Sequence, residues 1–317
     1  MDRAQKILVT GGAGWVGLDW TPYLLEKGHE VRVLDVNVEP LRHINDRKLT
    51  LIQGGVENRE SVRKAMEGVD AVVHLAWSFS TDPLGAVETD LRGHIHVLEE
   101  AVAQKVKHLI YTSTAVVYGK LQYSPIDEIH PLVVEEARKL LYGIAKQFAE
   151  KTCLMYMKEK ELPVTIIRFW WAYGREIGGR HLREMLRTAA AGEPLEVPVG
   201  SGGSFVSMDD MSQALGLCLF NPRAYGQTFN IATAYVTWEE FAKMIREVTG
   251  NRCEIRRIPR EEWTGSAFLA DPWELDATKA KEALDYRPTD AATAKADLQA
   301  VIAKRWAAMQ EDLSRAK

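Results

Sequence analysis

The sequence predicts an α/β protein, a doubly wound parallel sheet followed by a smaller C-terminal lobe. Three observations carry this prediction. Across the first half, short apolar runs alternate with amphipathic ones at the spacing of βαβ units. A glycine-rich stretch at residues 6–17, K-I-L-V-T-G-G-A-G-W-V-G, joins the first apolar run to the first amphipathic one. Beyond about residue 170 the alternation loosens, and glycine and proline punctuate residues 192–198 and 200–203.

Residues 7–10 read as a short strand and residues 18–27 as the helix after it. Between them Gly11, Gly14 and Gly17 form G-x-x-G-x-x-G. The first glycine permits a tight turn, and the second lets backbone approach a pyrophosphate. The third lets the helix pack closely on the strand, and the helix N-terminus offers free N–H groups and a positive dipole end. The spacing differs by one residue from G-x-G-x-x-G, and taken alone an ordinary glycine loop would explain it. Residues 31–34 form a second strand ending at Asp35. An acid there suits hydrogen bonds to both ribose hydroxyls of an adenosine and repels a 2′-phosphate. No Arg or Lys follows directly, so NAD is favoured over NADP.

Further strands are expected at residues 49–53, 71–75, 108–112 and 163–169, with helices at 62–66, 89–104 and 142–158. Ligands of such sheets sit at the carboxyl ends of the strands, where Gly11, Asp35, Ala76 and Ser113 converge. In the second half, residues 182–191 and 210–220 read as helices and 227–231 as a strand. Residues 237–249 form a helix opened by a Thr-x-x-Glu capping box. Residues 290–317 read as a surface helix. The chain thus divides into 1–170, which would bind the dinucleotide, and 171–317, mainly a substrate-covering lobe interleaved with the last sheet strands.

Composition narrows the class. The 317 residues are 46% hydrophobic and 26% charged, with net charge −4 and a pI of about 6.1. That balance gives no electrostatic case for nucleic acid or an anionic membrane. Three widely separated cysteines, Cys153, Cys218 and Cys253, read as reduced thiols without metal spacing. No apolar run approaches membrane-spanning length and no signal-peptide layout opens the sequence, so a cytoplasmic protein is expected.

Tyr142 and Lys146 stand at i and i+4, on one helix face. A neighbouring positive charge is expected to lower a tyrosine from its reference of about 10 toward the working range. The phenol can then exchange a proton with a substrate hydroxyl or carbonyl, while Lys146 can hold nicotinamide ribose hydroxyls. Taken alone, Y-x-x-x-K is a solvated helix face. Here it follows a dinucleotide-binding half and the hydroxyl-bearing strand end Tyr111-Thr112-Ser113-Thr114. Hydroxyl, phenol, lysine and nicotinamide together make a hydride-transfer site in which the cofactor performs the redox step.

With these residues in place, the chain resembles the extended short-chain dehydrogenases/reductases, the NAD-dependent epimerase/dehydratase family. The resemblance covers nearly the whole length: T-G-G-A-G-W-V-G at 10–17, H-L-A at 74–76, S-T-A-V-V-Y-G at 113–119, Y-G-I-A-K at 142–146, I-I-R-F-W-W-A-Y-G at 166–174, S-M-D-D at 207–210 and F-N-I-A at 229–232. It implies a Rossmann-type fold whose C-terminal lobe binds substrate. It implies Tyr142 as acid/base, Lys146 as its activator and Thr114 as the assisting hydroxyl. Cofactor contacts would come from Gly11, Gly14, Trp15, Val16, Gly17, Asp35, Leu75, Ala76, Trp77, Lys146 and Trp170. Substrate contacts would come from Ser78, Thr114, Tyr142 and Trp171. Such proteins are commonly homodimers built on helices like 89–104 and 142–158.

Departures from the family pattern narrow the activity. The acidic pair that dehydratases carry is replaced by Ala115 and Val116, which argues against dehydration. Nucleotide-sugar enzymes usually carry Asn where Trp171 stands and Arg near Gly203; losing such a phosphate contact costs about 1.5–3 kcal/mol each. The R-x-G-D pattern is also missing; Arg256, Arg257 and Arg260 are the candidates to substitute for it. Asp90 replaces a usual Asn, and Gly55 replaces an Asp that meets adenine. A single-pass dehydrogenase needs no diphosphate tether, and Trp77, Phe79, Trp170 and Trp171 suit a substrate with an apolar face, or else merely fill space. The expected activity is hydride transfer between NAD and a secondary alcohol or ketone of a sugar-like or cyclic substrate. A nucleotide-sugar 4-epimerase is the alternative; a non-catalytic NAD-responsive protein is a third reading, disfavoured by the Tyr/Lys pair. His74 reads as a satisfied strand-end histidine, Glu128 as a solvated loop acid, and Asp209-Asp210 as helix caps.

Overall fold

The computed structural model describes residues 4–177, 180–250 and 253–315. The first part of the chain runs β1 (Lys6–Thr10), α1 (Gly17–Glu26), β2 (Glu30–Asp35), β3 (Leu49–Gln53), α2 (Arg59–Met66) and β4 (Ala71–His74). It continues through α3 (Pro83–Gly85), α4 (Arg92–Ala103), β5 (His108–Thr112), α5 (Leu140–Lys160) and β6 (Val164–Arg168). Next come β7 (Trp171–Tyr173), α6 (Arg180–Ala190), β8 (Leu195–Pro198), β9 (Gly202–Ser207), α7 (Met208–Cys218) and β10 (Thr228–Asn230). The chain closes with β11 (Ala234–Thr237), α8 (Trp238–Val248), β12 (Ile255–Ile258), β13 (Pro272–Trp273), α9 (Thr278–Leu284) and α10 (Ala291–Arg315).

Seven strands form the main sheet in the order β10-β6-β5-β4-β1-β2-β3, every pairing parallel. The order reverses between β1 and β4, and there a doubly wound sheet leaves its crevice. Alternation along β1 shows why both faces are covered. Ile7 and Val9 pack with Trp20 and Leu24 of α1 and Met211 and Leu215 of α7, whereas Leu8 packs with Val62, Val97 and Leu98 on the other face. The fold is therefore the Rossmann-type sheet that the sequence predicts. The strand β10 and helices α7 and α9 return to this body although they lie past residue 171.

The smaller body holds its own core, with Leu182 and Leu186 of α6, Phe205 of β9, Trp238 and Phe241 of α8 and Leu298 and Ile302 of α10. Its strands β7, β8, β9, β11, β12 and β13 form a four-stranded and a two-stranded sheet. These strands escape sequence reading because they are short, from two to six residues, and β9 opens on two glycines. The reason for one glycine is visible: the Trp170 ring lies directly on Gly203, leaving no room for a Cβ.

Several expectations need correction. The helix expected at 89–104 enters through a π-helical segment, Ala86–Leu91, that carries Asp90. The helix α7 is capped by Ser207, whose side chain accepts from the Asp210 N–H. Asp210 instead accepts from Thr233 and Thr289. Glu128 is not a solvated acid, since it is half-buried and accepts the Asn230 N–H at 2.7 Å. Helix α10 lies on the surface as expected and buries one face, Ala294, Leu298 and Ile302.

Candidate active site

Two elements position the reacting side chains. The strand β5 ends at Thr112 and delivers Ser113 and Thr114 to the crevice; Thr114 caps a 3-10 turn, accepting the Val116 N–H. Helix α5 delivers Tyr142 and Lys146. It is tied to the sheet by Arg168 of β6, which donates to Glu150 through two bonds of 2.9 and 2.6 Å with both side chains buried. Tyr142 and Thr114 line the crevice together. The Lys146 Nζ donates to the Thr112 carbonyl at 2.9 Å.

The electrostatics reverse the simplest expectation. Burial pushes Tyr142 up to about 12, against the Thr114 hydroxyl, which lowers it. Burial also pushes Lys146 down from 10.5 to about 7, against Asp90 and Glu150, which raise it. A dry site penalises both charged forms, and in the free protein that penalty outweighs the attraction between phenolate and ammonium. The phenol is thus held protonated at neutral pH.

The crevice has a volume of about 690 Å³. Of the expected cofactor contacts it is lined by Gly11, Gly14, Trp15, Val16 and Asp35 on one side. Leu75, Ala76, Trp77, Lys146 and Trp170 complete the set. Gly17 is the exception: it is buried against Gly12 and serves the packing of α1 on the turn. Ser78, Thr114, Tyr142 and Trp171, the expected substrate contacts, also line the crevice.

Asp35 accepts from the Ala13 N–H at 3.0 Å and the Asn37 N–H at 3.0 Å, which fixes its carboxylate beside the glycine turn. His74 is only half satisfied: its Nδ1 meets the Thr10 hydroxyl at 2.7 Å, while its Nε2 has no partner among the described residues. Burial holds that ring well below its ordinary value, hence neutral.

Other contacts escape sequence reasoning. The Asp90 carboxylate is buried in the crevice wall and accepts the Ser78 N–H at 2.6 Å. Phe79, in a left-handed backbone conformation at φ 56°, stacks on the Tyr142 ring at 5.4 Å. A second cavity of about 540 Å³ shares Phe79, Thr114, Tyr142, Trp170 and Trp171 with the crevice and is closed by Trp238, Phe268 and Trp273 of the smaller body. Phe79, Trp170 and Trp171 are the aromatics that the sequence placed on the substrate side, whereas Trp238, Phe268 and Trp273 carried no local signal.

A family model described as the NAD dependent epimerase/dehydratase family matches residues 7–232. The chain belongs to this family. Among its relatives, the UDP-glucose 4-epimerase of Lactobacillus helveticus is 27% identical, over 90% of this chain and 92% of its own. The UDP-N-acetyl-alpha-D-glucosaminuronate decarboxylase of Bacillus cytotoxicus is 27% identical, over 90% and 93%. The crystal structure of a Thermotoga maritima UDP-glucose 4-epimerase with UDP-glucose matches the fold with a TM-score of 0.75 at 24% identity, over 97% of this chain and 99% of that one.

The cofactor of this epimerase/dehydratase family member is NAD, and the crevice fits it. Gly11 has φ +70°, and a Cβ there would fall 2.6 Å from the Ala76 nitrogen, so bare backbone faces the crevice. Asp35 ends β2 in the crevice lining, where it would meet the adenosine ribose. Lys146 is the only cation among the described lining residues, so no Arg or Lys is placed to take a 2′-phosphate. Glu57 folds its carboxylate over Gly55, in the space an Asp side chain there would fill.

Proposed function

We propose that the protein is an NAD-dependent oxidoreductase that oxidises a secondary alcohol, or reduces its ketone, on a sugar-like or cyclic substrate without a nucleotide. The carrying observation is the aromatic closure of the substrate side. Trp170 lies on Gly203, where nucleotide-sugar enzymes usually bring an Arg close, and Phe268 stacks on Trp170 at 5.4 Å. Trp171 stands where their Asn usually lies and stacks on Phe205 at 5.2 Å. These rings put apolar surface, and no charged group, at the two positions where nucleotide-sugar enzymes usually anchor the diphosphate. Ala115 is fully buried and Val116 lines the second cavity, so no acid pair for dehydration stands there.

When bound, NAD supplies the hydride acceptor, or in its reduced form the donor. The chain's residues handle the proton. The protonated Tyr142 phenol, with the Thr114 hydroxyl in the same lining, is set to give a proton to a carbonyl oxygen. Run as an oxidation, Tyr142 must accept that proton, and Lys146 is the lining cation available to stabilise the phenolate. Replacing Tyr142 with Phe is expected to lower NADH formation about 10²- to 10⁴-fold across a panel of sugars, uronates and hydroxy-ketones while NAD still binds. Undiminished turnover overturns the assignment.

A UDP-sugar 4-epimerase is the second reading, favoured by the names of the relatives. It requires interconversion of UDP-sugars with no net NADH, read by incubating the protein with UDP-glucose and UDP-galactose and following the sugar products beside NADH absorbance. We further propose a cytoplasmic homodimer. No helix among the described residues is long and apolar enough to cross a membrane, and α5 exposes Ile144, Phe148 and Met155 as a surface for a second copy.

A further inference from the structure

The walls of the second cavity carry an unbalanced charge. Arg138, Lys139 and His181 line it, and no aspartate or glutamate does among the described residues. This stands against the sign of the chain as a whole, which is −4. Arg138 is the focus. Its guanidinium lies over the Phe268 ring, 4.9 Å from the centroid. Arg138 is exposed and makes no hydrogen bond or ion pair with any described side chain; Arg47 and Arg187 are likewise without one, but only Arg138 of these three lines the cavity.

A guanidinium over an aromatic face is held there by the ring's quadrupole while its N–H donors stay available to a ligand. That fork matches the two oxygens of a carboxylate or phosphate, and the charge-assisted bonds that result are the strong kind. Arg138 also precedes Tyr142 by only four residues, and both line the same cavity. The charge is felt inside: His181, held below its ordinary value first by burial, is lowered further by Arg138.

We infer that this cavity takes a sugar-like ring bearing a compact anionic group, a carboxylate or a phosphate, and that Arg138 holds the anion while Tyr142 meets the reacting oxygen. The inference rests on the proposed function for the reacting oxygen, but the anion subsite is testable without turnover. The rings of Trp170, Trp171, Trp238 and Trp273 give the cavity a built-in fluorescent probe.

The experiment titrates D-glucose, D-glucuronate and D-glucose 6-phosphate into the NAD-loaded Tyr142→Phe protein and follows tryptophan fluorescence. The same titrations are run with Arg138→Gln and Arg138→Lys added. At least one acid is expected to bind about 10- to 100-fold more tightly than glucose. Arg138→Gln should erase that preference and leave glucose unchanged, and Arg138→Lys should restore part of it. The glucuronate and phosphate arms tell which anion the site prefers. Equal binding of acid and neutral sugar, no saturable binding of either acid, or a preference that survives Arg138→Gln overturns the inference. Arg138-dependent acid binding in a wild-type protein that forms no NADH would retain the subsite and discard the oxidoreductase reading.

Discussion

The Lys146 ammonium lies 3.9 Å from the centroid of the Trp77 indole and 2.9 Å from the Thr112 carbonyl oxygen. A cation over an indole face is stabilised by the ring's quadrupole, yet burial still depresses this lysine to about 7. Between about pH 7 and 10.5 the unfolded chain therefore binds a proton at Lys146 that the folded chain does not. Stability contributed by this group rises with pH through that window and is lost as pH falls through 7. Lys146→Met removes the titration. Its unfolding free energy relative to wild type is expected to be most favourable at or below pH 6.5 and to lose ground toward pH 10, by an amount on the order of a few kcal/mol, read from denaturant melts at each pH. Parallel curves across that range count against it.

Asp90 acts on the same lysine. Asp90 and Glu150 raise it, and burial lowers it. The groups facing it are Asp90 from the π-helical segment, Glu150, Cys153 and Tyr142 from α5, His74 and Tyr111 from the sheet, and His94 from α4. Asp90→Asn keeps an acceptor for the Ser78 N–H and removes only the charge. The limb of the pH–rate profile that reports Lys146 is expected to move about one unit toward acid. An unmoved limb in kcat/KM would separate Asp90 from the proton chemistry.

Gly11 and Gly68 make a controlled pair. Both have positive φ, +70° and +67°. A Cβ at Gly11 would fall 2.6 Å from the Ala76 backbone nitrogen, while nothing lies within 4 Å of one at Gly68. Gly68→Ala is expected to cost about 1–2 kcal/mol of backbone strain and leave NAD affinity alone. Gly11→Ala should cost more and weaken NAD binding, read by NAD titration beside a melting curve. Equal NAD affinity in the two variants would remove Gly11 from the cofactor cradle.

Ile144, Phe148 and Met155 of α5 are between 41% and 47% exposed and fall on one face at helical spacing. Light scattering is expected to give twice the chain mass for the wild type and the single-chain mass for Phe148→Glu. A monomeric wild type overturns the dimer.

Much of the site was legible because its signals are local. Gly11, Asp35, Thr114, Tyr142 and Lys146 sit at strand ends or on one helix face, and a few residues of pattern place each of them. The alternation of apolar runs likewise determined the parallel sheet, since both of its faces must be covered. What tertiary structure alone decided is the environment those residues meet. Desolvation sums over neighbours distant in sequence, so the protonated Tyr142 and the weakly basic Lys146 emerge only when β4, β5 and α5 close around them. The second cavity has the same origin: Arg138, Trp171, Trp238 and Phe268 lie far apart along the chain. They meet because the smaller body folds back over the crevice to bury its own aromatic core.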